Sequence, residues 1–160
     1  MSLTTRPATA EDEDFLFTLY ASTREGELAL VDWGPHERQA FLRLQFAAQR
    51  QDYERRFPGA DHRIVLRDGR RVGRIFVARR PEEIRLVDIA LLPEHRGAGI
   101  GTWLLREVLD EAEREGLPVR HMVWKGNPAA LRFYERLGFA VVEDDGMYEL
   151  MERLPGRAGG

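Results

Sequence analysis

Leu92-Pro93-Glu94-His95-Arg96-Gly97-Ala98-Gly99-Ile100-Gly101-Thr102 is the stretch whose reading decides the fold. Just before it, Ile84-Arg85-Leu86-Val87-Asp88-Ile89-Ala90-Leu91 reads as a strand. Just after it, Trp103-Leu104-Leu105-Arg106-Glu107-Val108-Leu109 reads as an amphipathic helix. Three glycines, alternating with other residues, therefore sit where a strand turns into a helix. A helix start has four backbone N–H groups without internal partners and carries a partial positive charge. Glycines let a ligand approach that backbone closely and let the chain take positive φ. Together they make a site for a phosphate or pyrophosphate. Arg96 adds a fixed positive charge at the rim.

Spacing excludes two familiar phosphate loops. A dinucleotide fingerprint needs glycine at the first, third and sixth positions; counted from Gly97, the sixth is Thr102. The acidic residue such a unit needs about 20 positions on is missing as well, since Arg120 and His121 occupy that stretch. A Walker loop needs Gly-Lys-Ser/Thr after four intervening residues, and the chain has none. Further on, residues 127–139 read Asn-Pro-Ala-Ala-Leu-Arg-Phe-Tyr-Glu-Arg-Leu-Gly-Phe. Asn127 suits an N-cap and Pro128 the first helical position. Gly138 suits the C′ position, with Phe139 beginning the next strand. Asn127, Ala130 or Leu131, and Tyr134 fall on one face at helical spacing. A polar cap, a small residue and a phenol thus stand in a row.

Arg96-Gly97-x-Gly99-x-Gly101 resembles motif A of the GNAT family of N-acetyltransferases, and residues 127–139 resemble its motif B. The two occur in the family's order and at a usual separation, covering residues 84–142 with their flanking strands. The resemblance implies an α/β fold: a twisted, mixed but mostly antiparallel sheet with helices on both faces. In it, strands 83–92 and 119–124 splay apart at one end. It also implies acetyl-coenzyme A as cosubstrate. Arg96, Gly97, Ala98, Gly99, Ile100, Gly101 and Thr102 would hold the pyrophosphate. Leu91, Leu92, Asn127 and Ala130 would line the pantetheine arm, with backbone N–H groups near Leu91 and Leu92 facing the thioester oxygen. The Tyr134 hydroxyl would sit by the sulfur as the acid. The residues have plainer readings too. Tyr134 reads as a core aromatic packed with Phe133 and Phe139, Asn127 as a helix cap, and His95 as a surface residue.

The implied reaction is acetyl transfer to a primary amine of a small molecule or peptide. Two alternatives stay open: a non-catalytic acyl-coenzyme A sensor, and a transferase of a longer acyl group, since the loop reads coenzyme A and not the acyl chain. Some relatives carry a glutamate base in the fifth strand, but the position five before Asn127 is Met122. Asp88, inside an apolar strand where an unpaired charge is costly, is the candidate base or amine-binding group; a solvent-facing or ion-paired strand residue and a water relay are the alternatives. Glu83 is expected at the strand's exposed start. Substrate choice in the family is set by the first two helices and their connection. Here residues 22–35 read as that connection, and Glu27, Asp32 and Trp33, with Glu25, would suit a cationic amine. A solvated charged loop is the plain reading.

The chain's 160 residues fit one domain with a proper core, expected over 1–154, with a Gly-rich frayed tail over 155–160. Net charge −3 argues against a nucleic-acid binder. The absence of cysteine excludes disulfides, a Cys-type zinc site and a Cys nucleophile. Four histidines without ligand spacing argue against a metal. No apolar run is long enough to span a bilayer and the N-terminus is not a signal peptide, so the cytoplasm is the expected compartment, with no membrane partner. Related proteins often dimerise, which makes a homodimer the assembly the resemblance implies. Periodicity and turn residues predict strands at 2–6, 63–67, 72–78, 83–92, 119–124, 139–143 and 147–153. They predict helices beginning at 9–12 and over 36–56, 101–115 and the motif B segment.

Overall fold

In a computed structural model, which describes residues 2–156, strands and helices follow the expected order. Strand β1 (Leu3–Pro7) leads through a 3-10 turn (Ala10–Asp12) into α1 (Glu13–Leu28) and then α2 (Pro35–Arg56). Strands β2 (Asp61–Arg67), β3 (Arg70–Arg79) and β4 (Ile84–Leu91) follow, then a second 3-10 turn (Pro93–His95) and α3 (Ile100–Glu115). Strand β5 (Val119–Trp124), α4 (Pro128–Arg136), β6 (Ala140–Asp144) and β7 (Tyr148–Arg153) complete the chain. The seven strands form one sheet in the order β1-β2-β3-β4-β5-β7-β6. The β4–β5 pair is parallel, while β1–β2, β5–β7 and β6–β7 are antiparallel. By contacts the chain divides into two units: Met1–Ile75 with Ile89–Ile100, and Phe76–Asp88 with Gly101–Gly160.

In the first unit, β1 pairs with β2 from Leu3↔Arg67 to Pro7↔Arg63. The turn into β3 is made by Asp68 and Gly69, both left-handed (φ 50 and 81), as a two-residue hairpin turn requires. Apolar faces of α1 and α2 bury Leu16, Phe17, Tyr20, Leu42 and Phe46 against Ile64 of β2. One buried carboxylate fixes the entry to α1. Asp12 accepts two bonds from Arg6 (both 2.8 Å), one from Arg71 (3.2 Å) and one from the Thr9 N–H (2.9 Å). The Arg6 guanidinium holds its carboxyl far below the usual carboxylate range, against the opposing effect of burial.

Helix α1 runs to Leu28, so the expected irregular stretch at 22–35 is mostly not one. Ser22 and Thr23, at the start of that stretch, donate their hydroxyls to the carbonyls of Leu19 and Tyr20 (2.7 Å each) and stay inside the helix. Glu25 and Glu27 consequently lie on the last turns of α1 rather than in a connection.

In the second unit, α3 buries Leu104, Leu105, Val108, Leu109 and Ala112, a continuous apolar stripe. Asn127 caps α4 as expected, its Oδ1 accepting the Ala130 N–H at 3.1 Å, and Gly138 ends that helix at φ 96. Glu83 overturns its expected exposure. It is 5% exposed, with Arg120 at 3.0 Å, Arg80 at 3.5 Å and Arg85 at 4.0 Å. Three guanidiniums drawn from separate positions offset the cost of burying its charge. At the C-terminal end, the Gly156 N–H donates to Glu113 (2.9 Å); residues 157–160 of the expected tail lie outside the described residues.

Candidate active site

The glycine loop starts where β4 stops pairing. The Leu92 N–H donates to the Val72 carbonyl (2.8 Å), and Pro93 has no N–H to continue the ladder. Nearby, Gly73 lets β3 press against β4: a Cβ there would lie 2.3 Å from the Ala90 carbonyl oxygen. Because the Leu92 N–H already has an acceptor, it is not a free donor for a thioester oxygen, contrary to the expectation for that residue. Arg96 folds back, its Nε donating to the Leu91 carbonyl (3.0 Å), and so ties the loop to the end of the strand. His95 Nδ1 accepts from Arg67 (3.2 Å).

Gly97 and Gly99 are both left-handed, at φ 76 and 80, and a Cβ on either would meet nothing within 4 Å. Backbone conformation, not crowding, demands glycine at these positions. The main chain here is exposed, Ala98 included, and faces open space until Ile100 buries itself at the first turn of α3. Gly101 differs. A Cβ there would touch Phe133 at 3.4 Å, an ordinary contact, so the protein itself leaves room for one. Thr102 is half-buried in the same turn. An exposed, glycine-shaped main chain opening a sixteen-residue helix is chemically suited to a diphosphate.

The second unit holds a different kind of centre. Tyr134 is buried, with ring centroids 4.9 Å from His121, 5.2 Å from Phe133 and 5.4 Å from Phe139, all edge-on. The core-aromatic reading therefore describes its ring. Burial pushes the phenol's pKa up, and the nearby Asp88 charge adds to that, so the hydroxyl keeps its proton. Asp88 is half-buried, two positions beyond Leu86 on β4 and so on the same face. Asn127, exposed, and Ala130, half-buried, lie on the first turn of α4. Met122 is exposed.

Sequence reading missed His121. Its Nδ1 lies 2.8 Å from the Leu86 carbonyl, which only accepts, so Nδ1 carries the proton. Burial pushes the imidazolium's pKa down; the Leu86 bond and Asp88 oppose this, and Arg85 reinforces it. The signal was present in β5, where Val119, His121 and Val123 alternate inward.

Back in the first unit, a cavity of about 570 Å³ lies between α1, α2 and residues 92–94, with Asp14, Glu25, Glu94 and Arg43 among its lining. Arg43 stacks over Phe17 at 3.7 Å. Of the acidic residues expected to meet an amine, only Glu25 reaches this cavity. Glu27 pairs with Arg24 (3.2 Å), Asp32 is exposed, and Trp33 packs against Phe41 at 5.1 Å.

The arrangement has counterparts among solved structures. The PaiA N-acetyltransferase of Thermoplasma acidophilum, crystallised with coenzyme A, superposes with a TM-score of 0.74 at 21% identity, over 96% of this chain and 99% of that one. That likeness concerns the fold. The family follows from sequence: the profile of the Acetyltransferase (GNAT) family matches residues 18–139, and the chain belongs to that family. Mycothiol acetyltransferase of Nocardiopsis dassonvillei is 37% identical over 84 residues, 52% of this chain and 22% of that protein. The ribosomal protein bS18-alanine N-acetyltransferase of Escherichia coli is 37% identical over 59 residues, 36% of this chain and 40% of that one. The chain therefore matches less than half the length of either curated relative.

Proposed function

We propose that residues 1–154 act as one acetyl-coenzyme A-dependent N-acetyltransferase domain whose acceptor is a primary amine of a small molecule or peptide. The observation that carries this is the exposed main chain at Gly97 and Gly99, open where side chains would stand, in a chain of the GNAT family. Arg96 to Thr102 take the pyrophosphate of the cosubstrate. Leu91, Leu92, Asn127 and Ala130 line its pantetheine arm. Acetyl-coenzyme A supplies an activated acyl carbonyl and a thiolate leaving group; no metal is needed.

An alkyl amine has a pKa of about 10.4, so only about one molecule in 10³ is neutral at pH 7. Asp88, directly or through water, takes the proton. The Leu91 N–H is the proposed donor to charge developing on the acyl oxygen, since the Leu92 N–H serves Val72. Tyr134, kept protonated by burial, donates to the departing sulfur. On the acceptor side, three carboxylates against one guanidinium around the α1–α2 cavity support a cationic amine, with Glu27, Asp32 and Trp33 as outer contacts. Among the described residues no helix is long and apolar enough to cross a membrane; we place the reaction in the cytoplasm, in a homodimer.

Thiol release from acetyl-coenzyme A, followed over a panel of amines, aminoglycosides, amino acids and N-terminal peptides, tests the reading. The expected result is release that depends on a cationic acceptor. Coenzyme A binding with no acceptor-dependent release across the panel would favour the sensor alternative.

A further inference from the structure

An imidazole at position 121 is out of place in an aliphatic row. Its neighbours on the inward face of β5 are Val119 and Val123, and all three are buried. A leucine would fill such a position without burying ring nitrogens, whose burial costs free energy unless they are bonded. Two contacts set the ring apart from a filler. First, Nδ1–H reaches the carbonyl of Leu86, and Leu86↔His121 is the last registered pair of the parallel ladder that begins at Ile84↔Val119. Beyond it β4 runs on to Leu91 and β5 to Trp124. The side chain therefore clamps the last rung, where the two strands stop pairing. Second, the same ring lies edge-on to Tyr134, an angle of 64° between planes. One rigid group thus joins the end of the ladder to the phenol. The charged groups facing it are Asp88 and Arg85 of β4; across β7 its partner is the apolar Met151.

We propose that His121 is a positioning residue for the acid step: its imidazole, locked to the Leu86 carbonyl, holds the Tyr134 ring in the orientation that aims the hydroxyl. Phe133 and Phe139 confine Tyr134 through ring contacts. His121 is the contact anchored by a directional bond. A shift of an ångström in a reacting group can cost about 10²-fold in rate, so a loosened ring is read in turnover before it is read in binding.

This inference rests on the assignment of Tyr134 as the acid, and a double-mutant cycle separates the two. His121→Gln, Tyr134→Phe and the pair are compared for kcat, KM for acetyl-coenzyme A and melting. His121→Gln is expected to lower kcat by about 10-fold, leave KM within about twofold, and cost nothing further in the Tyr134→Phe background. An equal cost in both backgrounds, or none in either, overturns the positioning role and leaves the acid role intact. Wild-type kcat in Tyr134→Phe overturns both. Should the variants fail to fold, the ring ¹⁵N resonances of wild-type His121 decide: an Nδ1–H tautomer at about pH 7 is expected, and an Nε2–H tautomer overturns the proposal.

Discussion

From Arg96 to Gly99 the candidate surface is main chain, exposed and shaped by two left-handed glycines. Around Tyr134 it is side chain, buried and held by three rings. The two regions fail in opposite ways. Adding atoms breaks the first, because its work is done by amides that a side chain would cover. Removing atoms breaks the second, because its work is done by one hydroxyl whose aim depends on its neighbours. The first should govern affinity and the second turnover.

The strongest way to break this contrast is Gly99→Glu. A left-handed backbone strains any β-carbon, and a carboxylate would face the diphosphate. Coenzyme A affinity is expected to fall by at least ~10²-fold in calorimetry; an unchanged Kd would remove the loop from the site. Next comes Tyr134→Phe, expected to lower kcat by roughly 10²-fold with KM nearly unchanged. The same residue makes a pH prediction. Its folded pKa lies above the ordinary value, so wild-type kcat should lose nothing to tyrosinate formation below about pH 10. A difference spectrum against Tyr134→Phe showing an ionised phenol at neutral pH would contradict that. Asp88→Asn should cost roughly 10-fold in rate at neutral pH, since water can carry part of a base's role. A wild-type rate in that variant assigns Asp88 to structure.

The smallest effect is the sharpest test of the loop itself. Gly101→Ala puts a methyl group 3.4 Å from Phe133 and a better helix former in the first turn of α3. Stability should hold or rise, by up to about 1 kcal/mol, while coenzyme A affinity falls several-fold. A fall in melting temperature together with affinity would make Gly101 a packing residue instead.

Local chemistry carried most of what the sequence revealed. The loop's glycines, the Asn127 cap, Pro128 and Gly138 each announce a backbone conformation within a few residues, and each stands where that chemistry puts it. The places where reading failed depend on partners distant in sequence or on local bonds that sequence leaves ambiguous. Glu83 looked exposed because Arg120, its nearest cation, lies 37 residues on. The stretch expected to be irregular from position 22 begins with Ser22 and Thr23, whose hydroxyls bond back into α1. His121 was overlooked although strand alternation pointed it inward. It is the residue next to Met122 that touches Tyr134.

The most direct measurement is amide mapping by ¹H–¹⁵N NMR as coenzyme A is titrated into the full chain. The account predicts that the N–H resonances of Gly97, Gly99, Ile100, Gly101 and Thr102 move most and saturate together. Saturable shifts confined to other residues, with these amides unmoved, would contradict it.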